Sequence, residues 1–254
     1  MKFVGIIPAR YASTRFPAKV LAMLNGKTVI QRVYEQVKDC FDDLYVATDD
    51  SRIAEVVTSF GGKAIMTSED CKNGTERCFD ACCKLNIDCD VVVNVQGDEP
   101  FIQRKQIESL MACFADERTD IATLVKPFEL ADGWERLNNP NSPKVVLNAD
   151  NFAMYFSRSV VPYLRGVEQY EWLDNHVFYK HLGVYAYRLN VLKEITSLQQ
   201  TPLEKVESLE QLRWLEHGYK IKVGVTNIET IGIDTPEDLE RAKEFASSIG
   251  LCWE

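Results

Sequence analysis

Residues 1–20 of the chain read MKFVGIIPARYASTRFPAKV. The apolar run Phe3–Ile7 predicts a short buried strand, and the residues after it predict a loop. Three cations and no carboxylate lie on that loop, namely Arg10, Arg15 and Lys19. Because unpaired cations on one loop repel each other, the pattern suits a polyanion, and α/β folds bind nucleotides at the loop after the first strand. The alternative is a solvated basic loop without a ligand.

The same loop is rich in small side chains, which let a phosphate approach the backbone closely. These residues are Ala9, Ala12, Ser13, Thr14 and Ala18. Neither the Gly-x-x-x-x-Gly-Lys-Ser/Thr pattern nor the Gly-x-Gly-x-x-Gly fingerprint is present in the sequence. The sequence therefore excludes a P-loop NTPase and a standard NAD-binding unit, and side-chain cations must replace much of what glycine-rich backbone amides supply in those folds.

Composition limits the function classes. The chain has 254 residues, of which 46% are apolar, enough for a substantial core. Its 38 Asp and Glu residues against 29 Lys and Arg give a net charge of −9, which argues against a nucleic-acid binder. No apolar run reaches the roughly 18 residues of a membrane span, and the chain goes straight into a strand, so we expect a cytoplasmic protein without membrane insertion. Cys78 and Cys82, four apart on a predicted helix, are expected to pack in the core rather than bind zinc.

Strands and amphipathic helices alternate through the first half of the chain. This alternation predicts an α/β fold with a Rossmann-like, doubly wound and mostly parallel sheet. The second half differs, because Lys144–Leu147 and Phe152–Ser157 read as paired strands joined by a turn. We interpret residues 1–254 as a single domain with an inserted antiparallel portion at about residues 140–187. The strands predicted in the first half are Phe3–Ile7, Leu44–Thr48, Lys63–Met66, Val91–Val95 and Ile121–Val125.

The second strong signal is the run VVVNVQGDEP at residues 91–100. A buried strand ends within it, and Gln96, Asp98 and Glu99 come directly after that strand. Mg²⁺ prefers hard oxygen ligands together with substrate phosphates, so a carboxylate at this edge is well placed to hold the ion beside a triphosphate. The alternative is a turn in which Asp98 only caps a helix.

Two loop-to-helix junctions carry further candidates. Gly74 and Thr75 lie at a predicted helix start, where the N-terminus favours an anion or acceptor and Thr75 can cap the helix or bond a base. The alternative is a capping segment with a surface pair between Glu76 and Arg77. Asp234 precedes a Thr-Pro-Glu helix start, and taken alone it is better explained by that helix start than by metal binding.

The second half offers two candidate surfaces. His181, Gly183 and Tyr185 fall on one face of a predicted strand, although a structural histidine is the usual explanation of a lone His. A helix is predicted over residues 203–217, with an apolar face and a polar face that is either solvated or able to bond sugar hydroxyls. The apolar positions are Val206, Leu209, Leu212 and Leu215, and the polar positions are Glu204, Glu207 and Gln211.

Six segments in order resemble the 3-deoxy-manno-octulosonate (Kdo) cytidylyltransferase family, the CMP-Kdo synthetases, from residue 2 to about residue 246. The first segment alone would indicate only a sugar nucleotidyltransferase, whereas six in the family's order are far more specific. The segments are IPARYASTR at residues 7–15 with Lys19, GTER at 74–77, NVQGDEP at 94–100, HLGVY at 181–185, PLE at 202–204 with EQLR at 210–213, and GIDTPED at 232–238.

The resemblance implies a nucleotide-diphospho-sugar transferase type of fold and the reaction CTP + Kdo → CMP-Kdo + pyrophosphate. In this reaction the anomeric hydroxyl of the sugar acid attacks the α-phosphorus of CTP. The family is dimeric, with the inserted portion at the interface, and it activates Kdo for lipopolysaccharide synthesis in Gram-negative bacteria. CTP and Kdo are therefore the implied partners, and Mg²⁺ is the implied cofactor, with two ions when CTP is bound.

The resemblance also assigns roles to residues. The implied catalytic residues are Arg10, Arg15, Lys19 and Asp98, and the implied metal ligands are Asp98 and Asp234. The implied nucleotide-binding residues are Ala9, Arg10, Arg15, Lys19, Gly74 and Thr75. The implied sugar-binding residues are Arg77, Gln96, His181, Tyr185, Glu207 and Gln211, with Arg77 paired to the sugar carboxylate.

The chain departs from the usual family pattern at Ala18 and Val20, where Gly and Pro often flank the loop lysine, and also at Asn73 and Pro143. These departures are expected to affect loop flexibility and reaction rate rather than the type of reaction, because the chemistry-bearing side chains are all present.

The sequence does not distinguish a Kdo enzyme from an 8-amino-Kdo enzyme, while the segments around His181 and after residue 202 argue against a cytidylyltransferase of the sialic-acid type. An inactive nucleotide-binding protein on the same fold is the non-enzymatic alternative. A glycosyltransferase would be expected to carry an Asp-x-Asp motif at the strand end, which here reads Asp-Glu-Pro.

Overall fold

The structure is a computed structural model that describes residues 1–13 and 15–248; Thr14 of the first loop lies outside the described residues. The strands are β1 (Phe3–Ala9), β2 (Met23–Leu24), β3 (Lys27–Thr28), β4 (Asp43–Thr48), β5 (Ala64–Met66), β6 (Val91–Asn94), β7 (Ile121–Pro127), β8 (Lys144–Leu147), β9 (Ala153–Ser157), β10 (Tyr179–Arg188) and β11 (Ile221–Val225). The helices are α1 (Val29–Val37), α2 (Ser51–Ser59), α3 (Gly74–Leu85), α4 (Arg104–Ala112), α5 (Gly133–Leu137), α6 (Trp172–Asn175), α7 (Leu189–Ile195), α8 (Pro202–Glu207), α9 (Glu210–Glu216) and α10 (Pro236–Ser248). Within the described ranges, no helix combines the length and the apolar character that crossing a membrane requires.

The described residues form two compact units, the first within residues 1–107 and 229–248 and the second within residues 108–228. The first unit is built on a parallel sheet in the order β6–β1–β4–β5. From β1 the chain moves outward through β4 and β5, and it then crosses back to place β6 on the other side of β1. The strand order therefore reverses between β1 and β6, and open α/β sheets bind ligands outside the carboxyl ends of their strands at such a point.

The ends of β1 and β6 are held close together. The Val95 amide donates to the Ile6 carbonyl at 3.0 Å. A Cβ atom on Gly97 would lie 2.8 Å from the Pro8 carbonyl oxygen, closer than real Cβ atoms come to such an atom, so only glycine fits there. The loop after β1 and the turn after β6 therefore lie side by side.

An apolar cluster attaches α10 to the rest of the first unit. Its buried members are Leu24, Val29, Phe101, Ile233, Ala242 and Ala246. The Ile233 amide also donates to the Asp98 carbonyl at 2.9 Å. This bond holds the segment that precedes α10 against the turn after β6, so two acidic segments far apart in sequence meet.

The second unit combines parallel and antiparallel pairing. Strand β11 runs parallel to β7, whereas β10 is antiparallel to both β7 and β8. The predicted strand pair is confirmed, because β8 and β9 are antiparallel and Lys144 lies opposite Ser157. The predicted α/β class with a doubly wound, mostly parallel sheet is confirmed, and the interpretation of the chain as one domain stays a prediction.

The continuous helix predicted over residues 203–217 is wrong. Ser208 adopts a left-handed backbone conformation (φ 52°), which ends α8, and α9 begins two residues later. The break changes the phase of the pattern, so Val206 is 83% exposed instead of packing in the core. Glu204 and Gln211, which were expected on a polar face, are both buried. Glu204 is compensated by Arg213, whose Nε lies 3.3 Å from its carboxylate.

Candidate active site

A cavity of about 370 Å³ opens in the first unit at the carboxyl ends of β1 and β6. The structure brings eight of the predicted residues together around this cavity. They are Arg10, Arg15, Lys19, Gly74, Arg77, Gln96, Asp98 and Asp234. Ala9 is buried at the end of β1, and Thr75 is buried in the first turn of α3.

Arg10 is held by the segment that leads into α3. Its guanidinium donates to the carbonyls of Cys71 and Lys72, and Nε lies 3.9 Å from an Asp49 oxygen. Asp49 comes directly after β4, so a third strand end contributes a charged group to this edge of the sheet. Arg10 is thus preorganised at the loop, with its charge only partly balanced by a distant carboxylate.

Lys19 lies between two carboxylates. Its Nζ donates to Asp98 and, at 2.8 Å, to Asp234. Burial by itself would lower the pKa of Lys19, but the Asp98 carboxylate, together with Asp234, outweighs that effect and raises the pKa above its usual value. Lys19 is therefore a permanently charged ammonium at the centre of the cluster.

The residue before Lys19 turns the loop into position. Ala18 has a φ of 57°, a left-handed conformation that costs a non-glycine residue about 1 kcal/mol of folding free energy. The Ala18 amide donates to the Tyr11 carbonyl at 2.9 Å. This Ala is one of the departures from the usual family pattern. The conformation is the one that a glycine would adopt without strain, so the loop keeps its path despite the substitution.

The helix start expected from the sequence is present, with Thr235 as the cap of α10, and it leaves the Asp234 carboxylate free for other contacts. The Thr235 hydroxyl accepts from the Asp238 amide at 3.2 Å. The Asp238 carboxylate accepts in return from the amides of Thr235 and Asp234, at 2.9 and 3.1 Å. The Asp234 carboxylate is left to pair with Lys19 and with Arg15, the latter at 3.0 Å.

The oxygen donors fit a magnesium ion that binds together with phosphates. Mg²⁺ is commonly held by one or two protein carboxylates, with water and substrate phosphates completing the shell. Asp98 and Asp234 converge on one ammonium, so their oxygens already point to a common cation position. In residues 1–13 and 15–248, no group of three or more His, Cys, Asp or Glu side chains is arranged to hold a metal alone. The donor set thus fits an ion that arrives with a nucleotide.

Arg77 is placed differently from a surface residue. Its side chain is fully buried, and the guanidinium donates to the Asp49 carboxylate at 2.6 Å and to the Thr67 hydroxyl at 2.5 Å. The surface pair with Glu76 that the sequence left open is therefore wrong. Glu76 instead accepts from the Lys72 amide. These contacts are those of a supporting residue, because Arg77, which lines the cavity, also holds the Asp49 carboxylate that follows β4.

Replacing Arg77 by Met is expected to lower the free energy of unfolding by about 3 kcal/mol, because Asp49 would lose its buried cation. Urea unfolding followed by circular dichroism measures this change. Arg52→Met is the matched control, since Arg52 forms an exposed pair with Asp50 and should change stability by less than about 1 kcal/mol. Equal stability of the two variants would contradict the supporting role.

The remaining predicted sugar-binding residues lie in the second unit. Gln211 is buried and its Nε2 has no hydrogen-bond partner, which suits a group that awaits a polar ligand. Tyr185 is partly exposed and packs edge to face on Trp214. Glu207 is already occupied, because its carboxylate accepts from the Ser157 hydroxyl and the Arg158 amide at 2.7 and 2.9 Å.

The tautomer of His181 follows from its neighbours. The Thr123 hydroxyl has one hydrogen, and it donates to the Val184 carbonyl at 2.8 Å. The Leu182 carbonyl also lies within reach of this hydroxyl, at 3.2 Å, and we assign the hydrogen to the nearer Val184 carbonyl. With that assignment, His181 Nε2, 3.0 Å from the hydroxyl oxygen, is the donor and Nδ1 is an acceptor. Burial lowers the pKa of His181 to about 3, so the ring is neutral. A neutral imidazole with an acceptor nitrogen suits a hydroxyl group better than a carboxylate.

We expect nitrogen-15 NMR of the imidazoles to show His181 as the neutral Nε2–H tautomer down to pH 5. Because the folded-state pKa of His181 lies below its ordinary value, the unfolded chain takes up the proton first as the pH falls through 6.5, and the folded state loses stability below that pH. In the folded protein the ring stays uncharged above about pH 4. Thr123→Val serves as the matched variant, since it removes the acceptor that fixes the tautomer. A titration of His181 near pH 6.5 in the wild type would refute this assignment.

The comparison with known proteins first shows the general class of protein to which the chain belongs. The family model described as cytidylyltransferase matches residues 4–221. The fold and a cation-rich cavity at the strand switch point agree with this class. A solved structure named CMP:2-keto-3-deoxy-manno-octonic acid synthetase, complexed with CTP, aligns with a TM-score of 0.89 and 38% identity, covering 98% of this chain and 100% of that one.

Curated relatives identify the particular family within the cytidylyltransferases. The 3-deoxy-manno-octulosonate cytidylyltransferase of Bacteroides thetaiotaomicron is 64% identical over 245 residues, 96% of this chain and 98% of that protein. The protein of the same name from Parabacteroides distasonis is 64% identical over 249 residues, 98% of this chain and 99% of that protein. The chain belongs to the 3-deoxy-manno-octulosonate cytidylyltransferase family.

Proposed function

We propose that this enzyme transfers CMP from CTP to the anomeric hydroxyl of Kdo, releasing pyrophosphate and supplying CMP-Kdo for lipopolysaccharide synthesis. The observation that carries the proposal is the cluster of Lys19, Asp98 and Asp234 at the reversal of strand order, within a chain of this family. A polyanionic nucleotide is the ligand class that suits such a cluster with two further arginines beside it.

The cations of the first loop act on the charge that develops during transfer. When the sugar hydroxyl attacks the α-phosphorus, negative charge builds on the phosphoryl oxygens and on the leaving pyrophosphate. Arg10, Arg15 and Lys19 stabilise that charge, and fixed cations do so without reorganising at the moment of reaction. Arg10 is held in place by two backbone carbonyls and Lys19 by two carboxylates.

Asp98 and Asp234 are the proposed ligands of Mg²⁺. The bound ion would neutralise the triphosphate oxygens and make the α-phosphorus easier to attack. Asp98 is positioned by the backbone bond between its carbonyl and Ile233, and Asp234 by the cap of α10, so both carboxylates belong to rigid segments. The nucleotide base is proposed to contact the backbone around Ala9, Gly74 and Thr75.

Sugar recognition is proposed for residues with unused hydrogen-bonding groups. Nδ1 of His181 accepts from a sugar hydroxyl, and the Gln211 amide donates to a sugar oxygen. Gln96 and Tyr185 supply further polar contacts. Arg77 keeps one unused donor, Nε, beside its bonds to Asp49 and Thr67. Pairing of Glu207 with the sugar requires that its bond to Ser157 be exchanged. We propose both residues as supports first.

We also propose that the enzyme is a homodimer that acts in the cytoplasm, where CTP is found. The inserted portion at about residues 140–187 is the proposed interface. Large apolar side chains in that portion are exposed, with Tyr163 at 73%, Tyr170 at 74% and Val177 at 53%. Sedimentation equilibrium should give twice the monomer mass, and Tyr163→Glu with Val177→Glu should give the monomer mass.

Pyrophosphate release in the presence of CTP and Mg²⁺ tests the substrate. The assay compares Kdo, 8-amino-Kdo and N-acetylneuraminate as acceptors. Release with Kdo supports the proposal, and release with 8-amino-Kdo alone would change the acceptor while leaving the reaction class intact. Absence of release with all three acceptors, despite CTP binding, would overturn the proposed reaction.

A further inference from the structure

We infer that Lys19 is the resident counter-ion of the Asp98–Asp234 pair in the free enzyme, so that a divalent cation reaches this pair together with the nucleotide and not before it. The inference rests on the proposed function, because it concerns the same carboxylates. It adds a competition between a side chain of the enzyme and its metal ion.

The geometry places the ammonium at the point on which both carboxylates converge. Nζ of Lys19 contacts an oxygen of Asp98 and lies 2.8 Å from an oxygen of Asp234. The Lys19 side chain is only 15% exposed, so it is enclosed by the pair rather than loosely attached to it. A cation held by the same two oxygens would occupy the volume that this ammonium fills.

When Arg15 is counted with Lys19, the charges around the Asp98–Asp234 pair cancel. Lys19 and Arg15 supply two positive charges, and Asp98 and Asp234 supply two negative ones. A neutral cluster has little field with which to concentrate a free divalent cation, and binding the ion without displacing the ammonium would place like charges in contact. Free Mg²⁺ is therefore expected to bind this pair weakly.

A bound nucleotide changes which charged groups pair with each other at this site. Its triphosphate offers Lys19 and Arg15 new anionic partners, and the flexible four-carbon stem of Lys19 allows the ammonium to turn from carboxylate to phosphate. The carboxylates are then released for the metal ion that the nucleotide carries. The exchange gives the Lys19 ammonium and both carboxylates an oppositely charged partner before and after the nucleotide binds, which is the physical reason for the proposed order.

The test measures metal binding without nucleotide, and hence without turnover. Mn²⁺ serves as the probe, and free Mn²⁺ is followed by electron paramagnetic resonance during titration of the full-length protein. Lys19→Met is expected to bind Mn²⁺ at one site about tenfold tighter than the wild type, or more, because the resident cation is gone. Lys19→Gln, which keeps a polar group at the position, should show the same direction.

Two further variants test whether a gain in Mn²⁺ affinity comes from the Asp98–Asp234 pair. Lys63→Met removes the same charge from an exposed pair with Asp43 in the same unit, so its Mn²⁺ affinity should equal that of the wild type. Adding Asp98→Asn to Lys19→Met should abolish the gained site. Wild-type affinity in both Lys19 variants would overturn the inference, as would a gain that Asp98→Asn does not remove.

The failure of this inference is distinguishable from the failure of the proposed function. If the wild type forms CMP-Kdo while the Lys19 variants bind Mn²⁺ no better, only the counter-ion role is lost. If the wild type releases no pyrophosphate while the Lys19 variants gain an Asp98-dependent site, the counter-ion role stands and the proposed reaction is lost.

Discussion

Asp98→Asn is expected to lower kcat roughly a thousandfold and to leave the fold intact. The amide lacks the charge proposed to hold Mg²⁺, and loss of a metal ligand removes several kcal/mol of transition-state stabilisation. The fold should persist because the Asp98 backbone keeps its bond to Ile233, and Lys19 keeps Asp234 as its partner. Steady-state pyrophosphate release gives kcat, and far-UV circular dichroism with a thermal melt reports the fold.

The matched control is Asp88→Asn, which removes one exposed carboxylate from the same unit, outside the residues that line the cavity. Its kcat should equal that of the wild type. Near-normal turnover by Asp98→Asn would remove Asp98 from the metal site. A large loss in Asp88→Asn would point instead to an effect of the net charge.

Lys19→Ala is expected to lower kcat by roughly a hundredfold to a thousandfold, with a small change in the KM for Kdo. The reason is the role proposed for Lys19, stabilisation of charge that develops in the transition state, and removal of one such fixed group typically has this effect. Steady-state kinetics with Kdo varied at saturating CTP separates the two parameters, and Lys63→Met again serves as the control of equal charge. A rise confined to the KM for Kdo, with kcat unchanged, would show that the assigned role is wrong.

Most of the first unit was predictable because local signals agree with the tertiary fold. The buried residues of β1 and β6 are mostly valine and isoleucine, with Val4, Ile6 and Ile7 in β1 and Val91, Val92 and Val93 in β6. Such runs favour a sheet that is covered on both faces. The helix after residue 202 was not predictable in the same way. Its pattern satisfies a helical period, but Ser208 takes a left-handed conformation that no local rule requires.

The candidate site was predictable from the pattern only in part, as for Asp98 in the turn after β6. The meeting of Asp98 with Asp234 was implied by the family resemblance, because Asp234 by itself was better explained as part of a helix start. Asp49 was missed, even though it follows β4 at the same edge of the sheet, and this position is the signal that could have revealed it. Thr123 could not have been found, because its role depends on the pairing of β7 with β10.

The burial of Arg77 shows a second limit of sequence reasoning. A charged residue in the first turn of a helix reads as a surface group, since most arginines are exposed. Its burial depends on Asp49 and Thr67, which come from different segments of the chain. A buried cation is compensated by tertiary contacts, and such contacts leave no periodic pattern in the sequence.

Transfer of label from radioactive CTP to Kdo tests the central claim most directly. The purified enzyme is incubated with Kdo and Mg²⁺ and with CTP labelled at either the α- or the γ-phosphate. Nucleotidyl transfer predicts that the α label appears in the sugar product and the γ label in pyrophosphate. Transfer of the γ label to the sugar, or of neither label, would contradict the account.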